Sequence, residues 1–265
     1  MEISMHFKDM FNLSSKVAIV TGGGRGIGKF VATGLAEAGA DLVIASRKVE
    51  NCQQAAKELE ILGVKVLPLK LDMASKEDIE TLVAATMNEF GRIDILVNNA
   101  GVTWGAPTLD YPLEQWERVF EVNVKGVWIL TQMVANIMKD NGGGKIINVS
   151  SVLGSRGTTE ESHPAVAYNS SKAAINLLTM NLAVKLARYN IHVNAIAPGF
   201  FKTDMMRYVF KPEMKPVLDG LLRDVPLARV GEEDDLKALA VFLASKASDY
   251  VTGVVIPIDG GLLAK

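Results

Sequence analysis

The chain has 265 residues, 49% of them hydrophobic, a mean hydropathy of +0.20 and a formal net charge of -2. That is enough apolar material for one large core, and the near-neutral balance argues against charge-driven binding of nucleic acid or a membrane surface. The single cysteine, Cys52, cannot close an intrachain disulfide, which fits a reducing compartment.

In chain order, segment 1–16 carries charges throughout and lacks an apolar signal core, and no uncharged apolar run reaches membrane-spanning length. A cytoplasmic protein without membrane or nucleic-acid partners is expected. Short, mostly β-branched runs bounded by turn or polar residues predict strands over Val17–Thr21, Leu42–Ala45, Val64–Leu69, Ile93–Asn98, Lys145–Ser150, His192–Ile196 and Val254–Ile258. Amphipathic stretches between them predict helices, among them Lys48–Leu62, Ser75–Phe90, Leu113–Lys139, Tyr168–Tyr189 and Glu233–Ser245. Ser75 with Asp78 reads as a cap at a helix start. Such alternation implies an α/β fold with a parallel sheet covered on both faces. Nothing in the composition marks a linker, so one domain over 1–265 is expected.

The region 200–230 breaks this rhythm with Pro212, Pro216 and Pro226 and no strand pattern. A mobile lid over about 200–222 is expected, with Phe200, Phe201, Met205, Met206 and Leu218 turned toward a ligand.

Directly after the first strand comes Thr21-Gly22-Gly23-Gly24-Arg25-Gly26-Ile27-Gly28, followed by an amphipathic pattern. Glycines here allow a tight turn and let backbone N–H groups approach a pyrophosphate at a helix N-terminus. At the end of the second strand, NAD-binding chains carry an acidic residue for the ribose 2′-hydroxyl. This chain has Ala45-Ser46-Arg47-Lys48 there. A hydroxyl and a guanidinium suit a 2′-phosphate, and Arg25 offers a second cation, so NADP(H) is the expected cofactor.

Tyr168 and Lys172 are four residues apart in a helical pattern, so they share one face a turn apart. A nearby cation favours the phenolate and makes Tyr usable as an acid or base. Lowering a Tyr pKa from about 10 to about 7 needs roughly 4 kcal/mol. One charge about 4 Å away at an effective dielectric of about 20 supplies a term of that order.

These features occur together with Asn98-Asn99-Ala100-Gly101, Asn123-xx-Gly126, Ser150-Ser151 and Pro198-Gly199. In this order and nearly this spacing, the chain resembles the short-chain dehydrogenase/reductase family over essentially its whole length. The resemblance implies a doubly wound Rossmann-type sheet of seven strands. It also implies hydride transfer between a nicotinamide and a carbonyl or secondary alcohol. By it, Tyr168 would be the acid of reduction, and Lys172 would lower its pKa and hold the nicotinamide ribose. Ser151, with Ser150 as the alternative, would hydrogen-bond the carbonyl oxygen. Asn123 would hold a water for proton resupply. Gly22, Gly24, Gly26, Ile27 and Gly28 would line the pyrophosphate, with Asp72 against the adenine. Asn98, Asn99, Ala100 and Gly101 would form the floor beside the cofactor, and Pro198, Gly199 and Thr203 would meet the nicotinamide end. A homo-oligomer, tetramer or dimer, is also implied.

Within the family the ending Val255-Ile256-Pro257-Ile258-Asp259-Gly260-Gly261 looks like 3-oxoacyl thioester reductases. A polyol or sugar-acid dehydrogenase of the gluconate 5-dehydrogenase kind is the alternative. A non-catalytic NADP(H)-sensing protein is the alternative of another class, but it would have no use for Asn123, Ser151, Tyr168 and Lys172 together. One departure stands out. The interval from Ser151 to Tyr168 is longer than the family usually shows, through Thr158–Pro164. That stretch is expected to form an exposed loop at the site mouth, with helix starting only after Pro164. His163 reads as a surface-loop residue, with substrate contact as the alternative. His6, His163 and His192 lack metal-ligand spacing, so no metal is expected.

Overall fold

The computed structural model describes residues 5–203 and 209–265; Met205 and Met206 lie outside them. Among the described residues, seven strands form one sheet: β1 Val17–Thr21, β2 Asp41–Ser46, β3 Val66–Lys70, β4 Ile95–Asn98, β5 Gly144–Val149, β6 Ile191–Pro198 and β7 Val255–Ile258. Every neighbouring pair is parallel, in the order β3-β2-β1-β4-β5-β6-β7. The fold is the Rossmann-type α/β arrangement. Each predicted strand is present, with ends displaced by a few residues.

The strands are apolar on both sides because both sides are covered. Ala18 and Val20 of β1 pack with Leu42 and Ile44 of β2 on one face, under α1 (Gly26–Glu37), α2 (Val49–Glu60) and α8 (Glu233–Ala244). The intervening Ile19 and Val43 face the other way, toward α3 (Lys76–Phe90), α5 (Val127–Asp140) and α6 (Val166–Leu186). Side chains such as Ile19, Leu42 and Leu96 are fully buried, and each contributes about 1.5–3 kcal/mol. Ser75 accepts the Asp78 backbone N–H at 3.1 Å and starts α3 as the sequence predicts.

The predicted helix over Leu113–Lys139 is built in three parts. α4 (Leu113–Phe120) passes into a widened π turn over Glu121–Gly126 and then into α5. Such a turn holds one extra residue and re-aims the side chains on it, commonly at functional positions; here it carries Asn123.

Beyond β6, a short helix α7 (Lys215–Arg223) follows Pro212–Met214, and Phe201 bridges to Gly231. The expectation for Phe201 is corrected. It is 4% exposed and belongs to the core beneath α1 and α8, against Gly231, because its backbone pairs there. Phe200 packs beside Val152, Val225 and Leu262 in a small separate cluster.

The strand order reverses direction between β1 and β4. In open parallel sheets the crevice outside the carboxyl ends at such a point is where ligands bind. The glycine-rich turn follows β1, and Asn99-Ala100-Gly101 follows β4, so both flank that crevice.

Candidate active site

The turn after β1 is held to the turn after β4 by Thr21. Its hydroxyl accepts the N–H groups of Asn99 at 2.9 Å and Ala100 at 3.0 Å, and donates to the Val97 carbonyl. The Asn99 amide donates to the Thr21 carbonyl at 2.8 Å. Gly22 has φ +69°, and a methyl group on it would lie 2.6 Å from the Asn99 amide nitrogen. A methyl on Gly28 would lie 2.3 Å from the Gly22 carbonyl oxygen. Any side chain at either position would push the turn away from α1. The result is bare backbone at the start of α1, where Arg25 makes no side-chain cap.

This crevice fits a dinucleotide. The helix start presents unblocked N–H groups, as a pyrophosphate requires. Arg25 and Arg47 are exposed, and no carboxylate pairs with either among the described residues. Ser46 is the last residue of β2, its hydroxyl donating to the Lys48 carbonyl and lying 3.2 Å from the Cys52 sulfur. Burial pushes the Cys52 thiol up, which leaves it unreactive. Thr203 reaches back over the loop; a methyl on Gly26 would meet its side chain at 3.5 Å. Gly199 lies tight against Asp259, its N–H donating to the Ile258 carbonyl. Asp72 is partly committed elsewhere: its carboxylate accepts the Ala74 N–H at 3.0 Å and shapes the turn before α3.

On the other side of the crevice, α6 carries Tyr168 and Lys172 on one face as their spacing predicts. The Lys172 ammonium is 5.5 Å from the Tyr168 ring centroid and donates to the Val149 carbonyl at the end of β5, at 2.7 Å. The Ser151 side chain lies near the Tyr168 phenol and favours its ionised form, while its hydroxyl oxygen accepts the Leu153 N–H at 3.2 Å. Ser150 points away, donating to the Lys172 carbonyl and to Asn176. The geometry therefore separates the two serines: Ser151 meets the phenol and Ser150 anchors α6.

The electrostatics differ from expectation. Burial pushes the Tyr168 phenol above its ordinary value, and the Ser151 side chain near it opposes this. Burial also pulls Lys172 down to about 8. Lowering of Tyr168 by Lys172 is not what dominates here. Lys172 is buried and Tyr168 partly buried, and desolvation is the larger influence on each.

Asn123 binds the chain on both sides of itself. Its carbonyl oxygen accepts the Val102 N–H at 2.8 Å, while its amide donates to the Val102 carbonyl at 2.9 Å and to Ser171 at 3.0 Å. This clasp fixes Gly101, at which a methyl would lie 3.7 Å from the Lys172 nitrogen. Asn98 is not turned to the floor. It donates to Thr131 and to Asn148, and Asn148 donates to Thr179, all buried. This polar chain ties β4 and β5 to α5 and α6 and was missed from the sequence. Its signal is an Asn at the end of one apolar strand and near the end of the next, with Thr on the covering helices.

His163 departs from its reading as a surface-loop residue. Its ring meets Tyr168 edge-on, with centroids 5.9 Å apart. The loop around it is exposed at Thr159–Ser162, and α6 starts at Val166, after Pro164. Among the described residues, no group of three or more His, Cys, Asp or Glu comes together around a possible metal position.

A glycine-lined crevice at the reversal of a parallel sheet, facing a Tyr–Lys–Ser constellation, defines a dinucleotide-dependent oxidoreductase. The family model for short chain dehydrogenase matches residues 16–214. The chain is 36% identical over 255 residues to 5-keto-D-gluconate 5-reductase of Escherichia coli K12, covering 96% of this chain and 98% of that protein. It is 40% identical over 251 residues to a 3-oxoacyl-[acyl-carrier-protein] reductase of Thermotoga maritima, covering 95% and 99%. A crystal structure of a gluconate 5-dehydrogenase from Burkholderia cenocepacia, in complex with NADP and tartrate, superposes with a TM-score of 0.89 at 36% identity, covering 98% and 100%. The chain belongs to the short-chain dehydrogenase family. It is an oxidoreductase of carbonyl and alcohol groups that uses a nicotinamide dinucleotide.

Proposed function

We propose that the protein is an NADP(H)-dependent reductase of a carbonyl compound, with a 3-oxoacyl thioester as the first substrate class. The observation that carries the reading is the Ser151–Tyr168–Lys172 arrangement over the crevice. The nicotinamide, when bound, supplies the hydride in reduction and accepts it in oxidation. The Ser151 hydroxyl and the Tyr168 phenol hold the carbonyl oxygen, where negative charge develops. Tyr168 passes its proton to that oxygen, so the raised pKa suits an acid that stays protonated until the oxygen becomes basic. Lys172, charged below about pH 8, orients the phenol and draws a replacement proton from the Asn123 side.

The 2′-phosphate preference is supported by Ser46, Arg25 and Arg47 where a carboxylate would stand in an NAD-binding chain. Gly22, Gly24, Gly26, Ile27 and Gly28 would carry the pyrophosphate, and Asp72 the adenine. Asn99, Ala100, Gly101, Pro198, Gly199 and Thr203 would border the nicotinamide half. The thioester reading is supported by the likeness to the Thermotoga reductase. A sugar-acid substrate is the second reading, favoured by the likeness to the keto-gluconate reductase and by the tartrate in the Burkholderia complex. One domain over 1–265, with a lid at about 200–222, is part of the proposal. No helix among the described residues is long and apolar enough to cross a membrane. The buried single cysteine suits the cytoplasm. Assembly as a homotetramer is supported by the exposed apolar residues Trp128 on α5 and Leu177, Met180 and Val184 on α6.

The test is a spectrophotometric screen of NADPH and NADH oxidation over 3-oxoacyl thioesters, diketones and keto-sugar acids. NADPH-dependent turnover of a thioester is expected. Equal affinity for NADH would sink the argument from Arg25 and Arg47, and turnover confined to keto-sugar acids would replace the thioester reading.

A further inference from the structure

The loop Thr158–Pro164 is fixed on the site rather than loosely attached to it. Pro164 accepts the Ala106 N–H at 2.9 Å, and Glu160 accepts that of Thr108 at 3.1 Å. Within the loop, Thr158 donates to the His163 carbonyl and accepts from Asn169, the residue next to Tyr168. These bonds hold the backbone of His163 and leave its Nε2 without a polar partner among the described residues.

That imidazole stands edge-on to the Tyr168 ring, with its plane at 69°. Its Nε2 is buried and makes no hydrogen bond within the described residues. Buried polar atoms are rarely left so, and an unpaired one beside a reactive group calls for a ligand or water that completes it. Burial holds the His163 pKa below its ordinary value, so at neutral pH the ring has one N–H and one free lone pair. A neutral ring of this kind can pair with a hydroxyl or carbonyl oxygen without attracting charge.

We propose that His163 is a substrate-recognising residue whose Nε2 hydrogen-bonds an oxygen one or two carbons from the reacting carbonyl. The inference rests on the reading of Tyr168 as the proton donor to that carbonyl. The imidazole stands against the Tyr168 ring whose phenol would hold the reacting oxygen, with centroids 5.9 Å apart, and the proposal places a second oxygen of the same substrate at its Nε2. Oxygenated carbonyl compounds, rather than plain ketones, are the class selected. The discrimination comes from leaving a buried nitrogen unpaired when the second oxygen is missing.

The test compares kcat/KM for 2-hydroxycyclohexanone and cyclohexanone with NADPH, in the unmodified protein, His163→Phe and His163→Gln. The Phe variant keeps a ring against Tyr168 and lacks the nitrogen; the Gln variant keeps a polar group. The ratio of the two substrates should fall about tenfold in the Phe variant, the worth of one hydrogen bond, and recover in part in the Gln variant. NADPH affinity should be unchanged throughout. An unchanged ratio in the Phe variant would overturn the proposal, as would an equal loss on both substrates, which marks packing alone. If the unmodified protein reduces neither ketone, the same ratio is read on the compound the screen finds against its analogue lacking the second oxygen; if it reduces nothing in that screen either, the carbonyl-reductase reading fails and this inference goes with it.

Discussion

The two sides of the crevice are built by opposite means. Beside β1 the chain takes side chains away: Gly22 and Gly28 touch backbone to backbone, and a single methyl on Gly28 would lie 2.3 Å from a carbonyl oxygen. Beside β5 and α6 it puts polar side chains into the core: Ser151, Lys172, Asn123 and Ser171 are all buried, each with a named partner. The first side works by clearance and fails when atoms collide. The second works by mutual satisfaction and fails when a partner is lost. Binding and turnover should therefore separate under mutation.

The largest effect is expected on the polar side. Tyr168→Phe should lower kcat by at least about 100-fold, the lower scale of general acid–base catalysis, while NADPH affinity changes little. Steady-state kinetics and a fluorescence titration of NADPH check this. Near-normal turnover in the variant would remove the proposed acid and revive the non-catalytic sensor.

Next comes the clearance side. Gly28→Ala should weaken NADPH binding by about tenfold or more, since the helix start must retreat from the Gly22 carbonyl and the pyrophosphate contacts with it. At saturating cofactor, kcat should fall far less. Calorimetric titration reads the affinity, and a variant that loses kcat and keeps affinity would erase the contrast between the two sides.

A third effect is on stability rather than on activity. Lys172 is pulled down from 10.5 to about 8 in the folded chain. Between these values the unfolded chain holds a proton that the folded one has released, so stability rises with pH. Below about pH 8 that gain is absent. Relative to Lys172→Met, the unmodified protein should therefore gain up to about 2–3 kcal/mol between pH 8 and 10. Urea unfolding of both proteins at the two pH values measures it. A constant difference would show that Lys172 keeps its proton when buried.

The sequence by itself determined the strand–helix alternation, because doubly covered strands must be apolar throughout and their covering helices amphipathic. It also determined the glycine turn and the one-turn spacing of Tyr168 and Lys172, since both are local and follow from backbone geometry. Tertiary structure alone decided matters that depend on long-range neighbours. The same Asn could line a floor or join a buried network, and Asn98 does the latter because Thr131 and Asn148 lie beside it. Phe201 could cover a ligand or fill the core, and its bridge to Gly231 turns it inward. Spacing placed a cation near the phenol of Tyr168, but only burial could show that desolvation governs both groups. His163 read as a surface residue, because nothing local reveals that the loop carrying it is pinned to Ala106 and Thr108 and lays its ring against Tyr168.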